Sequence, residues 1–153
     1  MRILYISAIC AVLISGCASG SAVRTSQNSA LIQATAAPIC GSVGASQVAE
    51  RQAAIETLRA GYDKYVITGG AAQNNVRVSQ VPARATTYGN IYGNTWTANT
   101  SYSTNTIVSG SHAQQFSIMM FRNTDGGAEN AISAREVLGA DWQKIVANGV
   151  VTC

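Results

Sequence analysis

Residues 46–68, SQVAERQAAIETLRAGYDKYVIT, decide the fold. Val48, Ile55, Leu58 and Tyr62 recur at spacings of seven, three and four, with Ala54 beside them, which makes one apolar stripe at helical period. Ser46 is a good N-cap residue, so the helix is expected to begin there. Glu50, Arg51, Glu56 and Arg59 fall largely off the stripe, and Glu56 and Arg59 are spaced to pair. Gly61 can take the left-handed backbone that closes a helix. Residues 62–67, YDKYVI, are aromatic and β-branched and read as a core strand. Tyr62 and Tyr65 are expected to pack inside.

Working outward, Gly69-Gly70 and Asn74-Asn75 mark turns or a bulge. Residues 76–81 alternate apolar and polar, as a second strand or a continuation of the first, and Pro82 is expected to end it. Residues 85–121 carry no charged side chain other than a protonated His112. Tyr88-Gly89-Asn90 repeats as Tyr92-Gly93-Asn94. Beyond the repeat, Trp96, Ala98, Tyr102 and Val108 share one parity. Period two with Thr, Tyr and Trp suits a long twisted hairpin, and the low complexity equally suits a mobile loop, over about 85–112. Residues 116–121, FSIMMF, are apolar on both parities, which implies a central strand covered on both faces. Asp125-Gly126-Gly127 is a turn. Residues 128–138 show helical spacing at Ala131, Ala134 and Leu138, Gly139 stops them, and Asp141 can cap a last short helix with Trp142, Ile145 and Val146. Residues 150–153 could add an edge strand. Strands clustered between helices make an α+β fold: an antiparallel sheet of about three to five strands, one long helix and one or two C-terminal helices.

The N-terminus reads as an address. Residues 1–16 have a basic start and an apolar run broken by Ser7, too short to span a bilayer permanently. The following Ile14-Ser15-Gly16-Cys17 resembles the lipobox of bacterial lipoproteins. That resemblance implies cleavage before Cys17, diacylation of its thiol and acylation of its new amine. Ala18 rather than Asp after the lipidated cysteine implies sorting to the outer membrane. Several acyl chains, at about 0.8 kcal/mol per buried methylene, make detachment negligible. Residues 17–37, rich in Ser, Ala, Thr and Gln with Arg24 as the only charge, read as a lipidated N-terminus and flexible tether. Residues 38–153 then form a single domain.

With Cys10 in the leader and Cys17 lipidated, Cys40 and Cys153 remain. In an oxidising compartment their pairing is the expected outcome, with an intermolecular bridge through Cys153 or free thiols as alternatives. A bridge closing so long a loop contributes roughly 4 to 5 kcal/mol. Cys40, Cys153 and His112 offer too few ligands for a metal site, so neither metal nor cofactor is expected.

Composition narrows function without naming it. Charged residues make up 11%, well under the usual quarter, and the formal charge of +3 becomes +2 when Arg2 leaves with the leader. The basic residues are scattered singly, which argues against a nucleic-acid groove. Ser109 or Ser111, His112 and Asp125 contain the residue types of a hydrolytic triad but lack the nucleophile elbow. Seven acids, with Glu56 and Asp63 at a surface and a helix end, offer no obvious glycosidase pair, and Gly69-Gly70 lacks the lysine of a phosphate loop. No catalytic residue is assigned.

Residues 53–67 form an AA-x-x-TL-x-x-GYD-x-aromatic unit, and residues 134–138 read AREVL. Both resemble segments of small proteobacterial envelope lipoproteins. The resemblance implies an envelope location and this fold, and transfers no activity. The expected role is therefore a non-enzymatic structural or interaction role for an outer-membrane lipoprotein facing the periplasm. Its partners would be the membrane, through Cys17, and an envelope protein or peptidoglycan. The alternative is a binding module for cell-wall glycan or a small ligand through Tyr88, Tyr92, Trp96 and Tyr102.

Overall fold

A computed structural model describes residues 18–149, apart from the side chain of Ala83. Among these residues the fold is α+β: a five-stranded antiparallel sheet backed by one long helix, with a separate two-stranded ribbon. The elements run β1 (Ala18–Arg24), β2 (Ser29–Ala36), α1 (Gly41–Arg59), β3 (Lys64–Asn74), β4 (Arg77–Tyr92), β5 (Thr95–Ser109), β6 (His112–Phe121), β7 (Ile132–Ser133), α2 (Ala134–Leu138) and α3 (Trp142–Asn148). Short 3-10 turns at Pro38–Cys40 and Ala128–Asn130 join them. The main sheet has the order β1-β2-β6-β3-β7, and the ribbon is β4-β5.

Contrary to the expectation of a tether over residues 17–37, residues 18–36 form a hairpin that supplies two of the five strands. β2 pairs with β6 along its whole length, from Ser29 opposite Met119 to Ala36 opposite His112. Ala30, Ile32, Ala34 and Ala36 alternate into the core under α1. Small side chains let the helix approach closely, so a segment with a linker's composition is a core strand. Gly20 makes the same allowance: a Cβ there would sit 3.1 Å from Gln52 on the helix. Arg24, the only charge in the segment, ends β1 in an ion pair with Glu56 at 2.6 Å.

The helix also begins earlier than Ser46, at Gly41. Gly44 and Ala45 are buried against the sheet, and this packing overrides the weak helical preference of a Gly-Ser segment. Ser46 is an interior residue whose hydroxyl donates to the Ser42 carbonyl at 3.1 Å. The C-terminus follows the sequence closely. The Gly61 amide donates to the Leu58 carbonyl and the Tyr62 amide to the Thr57 carbonyl, with Gly61 at φ +81, which is the Schellman arrangement. Val48, Ile55 and Tyr65 are fully buried, while Leu58 and Tyr62 pack at the core margin.

β6 is central, between β2 and β3, but it is covered on one face only. Ile118 and Met120 lie under the helix, whereas Met119 on the other face is 39% exposed and Ser117 is exposed. The FSIMMF run therefore does not report two covered faces. Residues 128–138 form a single turn, a two-residue strand and a five-residue helix instead of one helix, because Lys64 and Tyr65 recruit Ser133 and Ile132 as edge-strand partners. Gly139 does stop α2, and Asp141 precedes α3 without a side-chain cap. Residues 150–153 lie outside the described residues.

Of the two forms that suit residues 85–112, the chain takes the hairpin, whose strands are β4 and β5. β4 continues through Pro82 to Tyr92, accommodating the proline at a bulge between Pro82 and Arg84. Gly93 at φ +59, followed by Asn94 with an ordinary negative φ, makes a two-residue turn of the II′ pattern.

Candidate functional site

The two segments of the family-like pattern meet in space, and their contacts are structural. Asp63 of the GYD unit accepts from the Asn123 amide at 3.2 Å and faces Arg135 of AREVL at 3.5 Å. Its own carbonyl takes the Ala134 amide, and its own amide donates to the Phe121 carbonyl. Arg135 also stacks over Trp142, and Arg122 over Tyr62. Tyr65 is buried, with its hydroxyl 3.4 Å from the Glu50 carbonyl. Desolvation, with a smaller contribution from Glu50, raises its pKa far above the ordinary tyrosine value. The unit thus locks helix, strand and C-terminal turn together and leaves no reactive group facing a cleft.

The paper triad is not assembled. His112 opens β6, opposite Ala36 and Asn74. Asp125 lies beyond the other end of that ten-residue strand, about 30 Å away, where it accepts from the Arg122 amide. Among the described residues no group of three or more His, Cys, Asp or Glu could hold a metal, and no helix is long and apolar enough to cross a membrane. Cys17 and Cys153 lie outside the described residues. Cys40 is disulfide-bonded.

Two surfaces stand out among the described residues. One is a shallow depression of about 470 Å³ on the open face of the main sheet. Its floor is Ala71 and Ala113, and its walls include Gln33, Gln73 and Gln115. It is lined by amides, methyls and the Thr35 hydroxyl, which shares a 2.8 Å hydrogen bond with Ser19, and by no acidic or basic side chain.

The other surface is the ribbon, residues 77–109. Sixteen residues of β4 against fifteen of β5 make an arm about 50 Å long. Every residue of β5 is exposed, and so is every described side chain of β4 except the half-buried Thr86. The pairing register sorts the side chains onto two faces. Trp96 opposite Ile91, Ala98 opposite Gly89, Thr100 opposite Thr87 and Tyr102 opposite Ala85 share one face, which continues to Val78 and Val108 at the root. The indole of Trp96 covers Gly89, where a Cβ would lie 3.0 Å from its Nε1, and the hydroxyls of Thr87 and Thr100 are 2.9 Å apart. The other face carries Tyr88, Tyr92, Asn90, Asn99 and the ribbon's only charges, Arg77 and Arg84.

Tyr88, Tyr92, Trp96 and Tyr102 are therefore all exposed, but they do not form one stacking platform. Tyr88 and Tyr92 are on one side, Trp96 and Tyr102 on the other. Trp96 and Tyr102 are themselves six residues apart along β5, about 20 Å. Parity on β5 could be read from the sequence, but the phase of Tyr88 and Tyr92 against it is set by the turn at Gly93-Asn94.

One spatial relation was not visible in the sequence. Ala18, Ala36, His112 and Asn74 lie in one row across the sheet, so the start of β1 and the root of the ribbon share one end of the body. No protein-family model, curated protein or solved structure matches the chain.

Proposed function

We propose that the chain is a non-enzymatic lipoprotein, anchored in the outer membrane through Cys17 and facing the periplasm, that uses its ribbon as an arm to engage a partner in the envelope. One observation carries this reading: an exposed two-stranded ribbon about 50 Å long, far beyond what the small body needs for its own core. A two-stranded hairpin without a covered face is at best marginal in water, so its stable form is expected to be in contact with something else.

The position of the anchor supports the same reading. β1 begins at Ala18, directly after Cys17, so acyl chains on that cysteine would seat the body against the bilayer with no slack. The ribbon leaves from the same end of the sheet, and its root is thereby held close to the membrane surface. Cys40 and Cys153 would close the body covalently in that oxidising space.

Two measurements test the reading. Intact mass of the processed protein should show a diacylglyceryl and a further acyl group on Cys17. Cells in which residues 77–109 are replaced by a two-residue turn should show the envelope defects of cells lacking the protein, with the shortened protein present at normal level. Wild-type behaviour of those cells under detergent and envelope stress would count against the arm, and an unmodified Cys17 against the anchor.

A further inference from the structure

The two long edges of the ribbon differ. A two-residue hairpin is closed by a pair that exchanges both hydrogen bonds, here Tyr92 and Thr95. Counting back from that pair, the even residues of β5 from Trp96 to Val108 turn their amides and carbonyls away from β4, toward open solvent. On β4 the corresponding outward positions include Thr87, Ala85 and Pro82. Pro82 has no N–H to offer, and the bulge beside it breaks the line of the strand. Arg77 and Arg84 add two positive charges along the same strand. These are the devices by which natural sheets block an edge: proline, bulge and charge. β5 has none of them. Its fifteen residues, TWTANTSYSTNTIVS, contain no proline, glycine or charge and are rich in Thr, Tyr, Trp, Ile and Val.

We propose that β5 pairs edge to edge and antiparallel with β5 of a second copy of this chain, giving a four-stranded sheet β4-β5-β5′-β4′. The proposal rests on the reading of the ribbon as an interaction arm and names its partner. Three features favour a second copy over an unrelated strand. An uncharged strand meets its own copy without like-charge repulsion along the whole edge. A two-fold axis perpendicular to the sheet keeps each face with its like, so the uncharged Trp96–Tyr102 face becomes continuous while the arginines stay together on the other. The blocked β4 edges then become the outer edges of the assembly, so pairing stops at two copies and does not propagate into a filament. On the lipid-anchored chain, confinement to one surface raises the effective concentration of the second copy.

Thr87 and Thr100 provide a matched test, because they are cross-strand partners on the same face and both point their amides outward, one at each edge. Thr100→Pro removes an amide from the β5 edge, and Thr87→Pro removes one from the β4 edge. Both lose the same hydroxyl contact, so damage to the ribbon itself is common to the two variants. The full chain, purified in detergent, is followed by sedimentation velocity across a concentration series. The wild type and Thr87→Pro should sediment as dimers with similar dissociation constants, and Thr100→Pro should dissociate at least about tenfold more readily.

A monomeric wild type overturns the pairing, as does equal weakening by the two prolines or a mass that grows without limit with concentration. Protection of β5 amides from hydrogen exchange by lipid vesicles alone, with the protein still monomeric, also overturns it in favour of the membrane. None of these results removes the arm reading, which fails separately if the ribbon-less chain behaves as wild type in cells.

Discussion

Replacing Ile32 by alanine tests whether residues 18–36 belong to the folded body. Ile32 is fully buried in the middle of β2, opposite Ala22 on one side and Phe116 on the other. The substitution removes three carbons, worth about 2.4 kcal/mol at roughly 0.8 kcal/mol each. The cavity adds to this, because a sheet strand held on both sides cannot collapse into the space, and the total is expected at about 3 to 4 kcal/mol. Against a stability of about 5–15 kcal/mol for a domain of this size, that is a large fraction. With a urea m-value of about 2 kcal/mol per molar, the unfolding midpoint followed by circular dichroism should fall by about 1.5–2 M. Val23→Ala in the same hairpin is the control. Val23 is 57% exposed on the opposite face, and its loss should change stability by about 0.5 kcal/mol or less. If Ile32→Ala behaves like Val23→Ala, the segment is a tether and the five-stranded sheet is wrong.

Three further outcomes are expected. Gly61→Ala should cost about 1 kcal/mol in the same unfolding experiment, because a residue at φ +81 pays the left-handed backbone penalty even though its Cβ would meet no atom within 4 Å. Tyr65→Phe should cost little at neutral pH, because the bond from its hydroxyl to Glu50 is long. Burial raises the folded-state pKa of Tyr65, so its contribution is fully present below the unfolded value of about 10 and is lost as pH rises above it. Wild-type stability should therefore fall more steeply above that pH than that of the phenylalanine variant, and parallel curves would refute the burial argument. Peptide mapping without reductant should recover Cys40 joined to Cys153, and reduction should lower stability by roughly 4 to 5 kcal/mol. A Cys40 peptide joined to another chain would move that bridge to an interface.

The helix end, the core strand after it and the central position of β6 could be read from the sequence because each had a strong local cause. Gly61 closes a helix in a left-handed backbone region that glycine enters more readily than other residues, and Tyr65-Val66-Ile67 favours a strand. The β1-β2 hairpin was missed for a physical reason. Alanine is a poor marker of burial and of strand, so the alternation Ala30, Ile32, Ala34, Ala36 carries a single strong residue. A period-two scan weighted for small residues would have found it. The early start of α1 was hidden because Gly41 and Gly44 weaken helical preference, and tertiary packing on Ala-lined strands supplies what propensity lacks.

The ribbon was legible as a pattern but not as a site. Period two on β5 grouped Trp96, Tyr102 and Val108 correctly. Whether Tyr88 and Tyr92 joined them depended on the register across the turn alone, because the bulge between Pro82 and Arg84 lies nearer the root and shifts only the β4 residues before it. Pro82 was expected to end its strand. It sits instead at an open edge, where its missing amide removes no bond within the ribbon and leaves that one position of the edge without a donor.

On the proposed reading, residues 77–109 are an arm that engages a partner in the envelope. The most direct test of that claim is photo-crosslinking in living cells, with a photoreactive residue placed in turn at Tyr92, Trp96, Thr100 and, as a body control, at the exposed Gln47 on α1. The expected result is strong adducts from the ribbon positions, with Thr100 yielding a dimer of this chain, and none above background from Gln47. Ribbon positions no more reactive than Gln47 would contradict the claim.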